Sequence, residues 1–209
     1  MERPTGLSLT SGRVKVELRE RIIWEAMRLF SLKGYLSTSI QDIMTAANTS
    51  KGGLYNHFRS KEDLFFVVLE EARKVWRDKN LAGVDQIDKP VEKVKKLLEN
   101  YRDLYLKDTS CLPGGCIFVT FSVELDDQRP NLAREVKKGF DGLKFMINNL
   151  LAQGKASGEL KEETDAKAVA ELIFAGMLGA TVIYGMEKSP AELDRTISSL
   201  LDYLDRLRP

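Results

Sequence analysis

The sequence predicts an all-α protein: a small N-terminal three-helix bundle containing a helix-turn-helix, then a larger C-terminal helical domain. Three observations carry this. Apolar residues recur at three- and four-residue spacing along most of the chain, and no stretch alternates with period two well enough to compete. Ser, Thr, Asp and Pro stand where these stripes begin, and Gly or Asn where several end. The 209 residues are 43% hydrophobic and 30% charged, which suits a soluble globular chain with one sizeable core or two smaller domains.

Residues 1–13 read as a polar, flexible arm. The first twelve lack the apolar run of a secretory signal, so a cytoplasmic protein is expected, with Arg3 and Arg13 available for loose phosphate contacts. An amphipathic helix is predicted over 14–33: Leu18, Ile22, Ala26 and Leu29 share a stripe, with Ile23, Met27 and Phe30 beside it. Gly34 ends it, where a residue free of a Cβ relieves backbone strain.

The stretch from 38 to 61 organises the rest. Thr38 and Gln41 stand at capping-box spacing, and Ile40, Ile43, Met44 and Ala47 then fall on one face. Asn48 is the non-glycine residue best suited to a sharp left-handed exit. Ser50 is an N-cap for a second short helix whose inward residues are Leu54 and Phe58. The outward set is Ser50, Lys51, Gly52, Tyr55, Asn56 and His57, which offers one cation, small positions and several hydrogen-bonding groups. Such a face suits a DNA major groove, with Ser39 added at the start of the preceding helix. Packing of two helices with no partner is the competing reading.

Thr38, Ile40, Asp42, Ile43, Ala47, Ser50, Gly53, Leu54, Tyr55, Phe58, Lys61, Glu62 and Leu64 occur here in order and without gaps. Over roughly residues 16–69 the chain therefore resembles the DNA-binding part of the tetracycline-repressor (TetR) family of bacterial transcription regulators. It departs at Asn48, where that pattern usually has Gly. The resemblance implies a dimer binding a double-stranded DNA operator, a C-terminal effector site, and phosphate contacts from Thr38 and Lys61. The DNA-binding domain is then 14–61, and the effector and dimerisation domain 62–209.

Ser60 and Asp63 cap a long helix running to about residue 80, the obvious mechanical link between the two halves. Pro90 opens the next, to about 107; a Pro-Gly-Gly loop precedes an apolar helix over 116–127; Pro130 begins a longer one to about 158. Trp76, Tyr101, Tyr105, Phe118, Phe121, Phe145, Phe174 and Met177 are the candidates for an effector pocket, because apolar walls with a few polar tips line small-molecule sites. Core packing is the plainer reading of the same residues. A mainly hydrophobic effector fits this composition better than a polyanion.

The segment 165–185 is the most apolar. Its uncharged run, 172–186, falls short of the ~20 residues that span a bilayer, so no membrane is expected. Pro190 opens the last helix. In the family such a final pair builds a four-helix dimer interface, which assigns Leu172, Gly176 and Gly179, with Leu193, Ile197, Leu200, Leu201 and Leu204, to a second copy; closing the core of the single chain is the competing reading.

Net charge is +1, yet residues 1–61 hold ten Lys/Arg against five Asp/Glu, a net of +5, and 62–209 carry −4. The basic part is the part with the helix-turn-helix, as phosphate binding requires. His57 is the only histidine. No triad or His-based zinc site is expected in the larger domain, and no cofactor. Glu124, Asp126 and Asp127 would have to carry any enzyme reading, although a charged helix end explains them as well. Cys111 and Cys116 flank Leu-Pro-Gly-Gly at a spacing that a disulfide can close. At a helix start the Cys116 thiol would be lowered, giving an alternative in which the DNA-binding regulator is thiol-switched, whereas a buried, inert Cys is the ordinary outcome.

Overall fold

The structure, a computed structural model, describes residues 17–209. The expected arm at 1–13, with Arg3 and Arg13, and the first residues of the helix predicted over 14–33 lie outside them. Among the described residues the regular structure is entirely helical: α1 (Leu18–Lys33), α2 (Ile40–Ala46), α3 (Lys51–Tyr55), α4 (Lys61–Asn80), α5 (Pro90–Asn100), α6 (Ile117–Leu125), α7 (Pro130–Ala156), α8 (Ala166–Glu187) and α9 (Pro190–Arg206).

The first three helices close around one apolar seam. Ile22, Ala26, Met27 and Phe30 of α1 are fully buried, as are Ile43, Ala47 and Leu54. Gly34 ends α1 at φ 80°, and its N–H donates to Phe30 O at 2.9 Å. Asn48 makes the turn after α2 at φ 46°, the left-handed conformation expected of it. Arg21 Nε donates to Ala47 O at 2.7 Å, tying α1 to the end of α2.

The cap of α2 corrects the sequence reading by one residue. Ser39, not Thr38, is the N-cap. Its Oγ accepts from Asp42 N at 3.0 Å, while Asp42 Oδ2 accepts from Ser39 N at 2.8 Å. A carboxylate in the first turn complements the helix dipole, which the Gln41 amide cannot do. The Ser39 amide and hydroxyl accordingly hold the Asp42 carboxyl below its ordinary range. Thr38 is fully buried, and its hydroxyl donates to Gly34 O at 2.6 Å.

α4 spans both halves, about 30 Å of helix at 1.5 Å per residue. Ser60 Oγ caps it, accepting from Asp63 N at 3.0 Å. Its first half buries Leu64, Phe65 and Val68 against α1. Two polar contacts then hold it to α7: Asn131 Nδ2 donates to Glu62 Oε1 at 3.0 Å, and Arg73 to Glu135 O at 2.6 Å. α5 runs on into a wide π-helical turn, Tyr101–Leu106, closed by Lys107 N donating to Arg102 O at 3.2 Å.

α8 packs between α7 and α9 through Val169, Ile173, Met177 and Ala180. At 22 residues it is long and apolar enough to cross a membrane by length and composition, although its uncharged run alone is shorter. Only one side is covered. Leu172, Val182, Ile183 and Met186 are exposed, the last at 80%. Four expected interface residues are corrected here: Leu193, Ile197, Leu200 and Leu204 of α9 are buried within this chain, because they form the stripe that seals α9 onto α8 and α5. Gly176 also serves that internal seam, since a Cβ there would sit 2.9 Å from the Leu200 side chain. Leu172 and Gly179 do lie on the open side, and Leu201 is half-buried.

Candidate functional site

α3 owes its outward face to two anchors. Ser50 Oγ accepts from Gly53 N at 3.1 Å, starting the helix, while Leu54 and Phe58 pin it to the core. Lys51, Gly52, Tyr55, Asn56 and His57 are all exposed, as are Ser39 and Ser50. A Cβ on Gly53 would collide with Thr49 Oγ1, so that glycine sets how closely the turn can fold. Gln41, Thr45 and Arg59 are exposed in the same unit and were missed by the sequence reading.

Two of the nine candidate DNA contacts stand elsewhere. The Thr38 hydroxyl is committed to Gly34 O. Lys61 is half-buried with its ammonium 4.3 Å from the centre of the Tyr35 ring, and burial pushes its pKa down even though Glu124 and Asp42 oppose that.

A cavity of about 290 Å³ opens in the C-terminal half. α4 contributes Arg73, Trp76 and Arg77; the π turn contributes Tyr101; the start of α6 contributes Cys116 and Phe118. Phe140, Leu143 and Met146 of α7 and Phe174, Met177 and Leu178 of α8 complete the apolar wall. The wide turn places Tyr101 there and Tyr105 behind it, the two rings stacked at 5.7 Å. Tyr101 Oη bonds the Thr181 hydroxyl and, at 3.4 Å, Met177 O; Tyr105 Oη donates to Cys116 Sγ at 3.5 Å. Burial pushes both phenols well up, so they remain neutral.

Five of the eight expected pocket residues therefore meet: Trp76, Tyr101, Phe118, Phe174 and Met177. The other three are corrected. Tyr105 backs the wall without lining it, and Phe145 points outward at 67% exposure. Phe121 lies at the junction of the two halves, its ring 4.9 Å from Phe65 and 6.0 Å from Phe30.

One turn beyond Phe121, Glu124 reaches the other half. Its Oε2 accepts from Tyr35 N at 2.7 Å and its Oε1 from Leu36 N at 2.6 Å. Gly34 makes room, for a Cβ there would stand 2.5 Å from Oε1. The loop before α6 is seated just as closely, since a Cβ on Gly114 would overlap the Ser31 carbonyl. Glu124 had been read as part of an acidic helix end. The signal that could have found it is a single carboxylate in an otherwise uncharged helix, IFVTFSVEL.

Both cysteines are free, and burial pushes the Cys116 thiol up, not down, outweighing its place at the start of α6. Among the described residues no group of three or more His, Cys, Asp or Glu side chains is placed to hold a metal.

An exposed second helix of a helix-turn-helix, joined to a helical domain with an apolar cavity, defines the class of helix-turn-helix transcription regulators. The model of bacterial regulatory proteins of the tetR family matches residues 22–68, and that of the tetracyclin repressor-like C-terminal domain matches 90–200. The chain belongs to the TetR family. A TetR transcriptional regulator from Chloroflexus aurantiacus J-10-FL shares 33% identity and superposes over 90% of this chain and 93% of that one, with TM-score 0.82. The HTH-type transcriptional repressor DhaR of Mycobacterium sp. (strain GP1) is 25% identical over 191 residues, 91% of this chain and 93% of its own. AibR, solved with isovaleryl coenzyme A and operator DNA, has the same fold at 20% identity and TM-score 0.68, over 88% of this chain and 98% of that one.

Proposed function

We propose that the protein is a homodimeric, cytoplasmic repressor whose hold on a near-palindromic DNA operator is released by a small, mainly hydrophobic effector. Residues 14–61 act as the DNA-binding unit and 62–209 as the effector and dimerisation unit. Lys51, Tyr55, Asn56 and His57 meet the groove, Gly52 allows close approach, and Ser39 and Ser50 flank it at the backbone. Two copies of α3 about a two-fold axis read half-sites one helical turn apart or a multiple of that. The second copy covers the open side of α8, where Leu172, Gly179, Val182 and Ile183 recur at heptad-like spacing with Leu201 of α9 at their edge.

One observation carries the gating. α6 is nine residues, about 13 Å long, with Cys116 and Phe118 in the cavity wall at one end and Glu124 on the α1–α2 turn at the other. The long helix α4 is the link the sequence suggests, and it also lines the cavity; α6 adds a second route, from the cavity to the α1–α2 turn. A molecule that prefers one seating of α6 shifts the pose of α3, by no more than its differential affinity for the two poses. Couplings of about 1–3 kcal/mol are usual.

The test is binding to DNA flanking the protein's own gene, measured against salt and against a panel of apolar compounds. One dimer on a protected near-palindrome, released by some panel member, is expected. Glu124→Gln, which cannot accept both amides as a carboxylate does, should still find that site but lose at least half of the release. A protein that prefers no site at any salt concentration would sink the reading.

A further inference from the structure

The cavity's hydrogen-bonding inventory is one-sided. The buried acceptors in its wall, Tyr101 Oη and Cys116 Sγ, already have partners. Arg73 is engaged as well, with Glu70 and with Glu135 O. What is left among the described residues is donors only: the Arg77 guanidinium is not within hydrogen-bond or ion-pair reach of any acceptor, and neither is the indole N–H of Trp76. Both residues line the cavity from adjacent positions on α4, and Arg77 is exposed at its edge. The rest of the wall is apolar. At about 290 Å³ the space stands at the small end of the roughly 300–1,000 Å³ typical of small-molecule sites.

Resting on the effector reading above, we infer that the ligand class is a small amphipathic monoanion, its apolar body in the cavity and its carboxylate or equivalent oxyanion on Arg77. A guanidinium presents a planar fork that matches a carboxylate with two parallel hydrogen bonds. A neutral head would leave most of those donors unmatched, and a cationic head would meet Arg77 and Arg73 as like charges. The apolar walls supply binding energy without discriminating; Arg77 supplies the discrimination.

Calorimetric titration of the full-length dimer with octanoate, 1-octanol and octylamine tests this. Octanoate should bind at least about tenfold more tightly than 1-octanol, the equivalent of one charged hydrogen-bond pair, and octylamine least well. Arg77→Ala should remove that preference, bringing octanoate down to the affinity of 1-octanol, with an unchanged helical circular dichroism spectrum reporting that the variant has folded. Equal binding of octanoate and 1-octanol, or an octanoate affinity unmoved by Arg77→Ala, overturns the inference alone and leaves an effector cavity of neutral preference. Binding by none of the three overturns the inference and the effector reading together, because an apolar cavity of this size that rejects apolar chains is not a ligand site.

Discussion

Two exposed helix faces among the described residues are opposite in kind. On α3 and the turn after it the outward residues are Lys51, Gly52, Tyr55, Asn56 and His57; on α8 they are Leu172, Ala175, Gly179, Val182, Ile183 and Met186. Water solvates the first at little cost, so that face can be occupied and vacated as conditions change. The second costs roughly 25 cal/mol for every Å² left wet, and contiguous apolar patches of this sort mark surfaces that another molecule covers. The proposed reversible contact with DNA and the proposed lasting contact with a second copy thus differ in the polarity of their surfaces. The cavity and α6 lie between them.

The contrast is broken most forcefully on α8. Ile183→Asp would place a carboxylate twice in a two-fold interface, and an unpaired buried charge costs about 3–5 kcal/mol. The dimer dissociation constant should rise more than about a hundredfold by sedimentation, with operator affinity falling alongside. A variant that remains a dimer would mean another surface holds the copies together. The effect on α3 is smaller. Lys51→Ala should lower the slope of log affinity against log salt by about one if the ammonium meets phosphate, or relax base preference by about 1–3 kcal/mol at one position if it meets a base edge. Dimerisation should not change. Smallest of all is the response to mild peroxide. With the Cys116 thiol raised by burial, operator affinity and the Cys116 thiol titre should both stay constant, and a loss of DNA binding reversed by reductant would restore the thiol-switched alternative.

Helices were legible because their signals are local. Caps at Ser50 and Ser60, the glycine at 34 and the left-handed Asn48 depend on neighbours a few residues away, and each stands where its sequence context puts it. Thr38 shows the limit of such reasoning: two capping boxes overlapped by one residue, and the one holding a carboxylate won. Which apolar residues face a cavity, a junction or a neighbour is not local. Phe118 and Phe121 sit one turn apart on α6, yet one lines the cavity and the other packs between α1 and α4. Likewise the α9 stripe was assigned to a second copy on the family resemblance, because periodicity reports that a face is buried without reporting by what. Glu124 was illegible for the same reason, since its partners are backbone amides 88 and 89 positions away.

The π turn after α5 has a bearing on how such a protein can change over generations. Six residues there follow the wider winding, which accommodates one residue more than an α-helix would over the same rise. Upstream, Asn100 is fastened by donating to Asn80 O at 3.1 Å and Ala82 O at 2.8 Å; downstream, Lys107 donates to Asp194 at 2.7 Å and Lys79 to Asp108 at 2.6 Å. Loss of a single codon inside the turn would restore ordinary winding while the later side chains of that helix kept close to their present bearing, because the wider winding is what absorbs the extra residue. The change would be confined to the turn itself, where Tyr101 lines the cavity, while the α5 core stayed as it was. A lineage could therefore alter the cavity wall by one insertion or deletion at this spot without redrawing the rest of the helix.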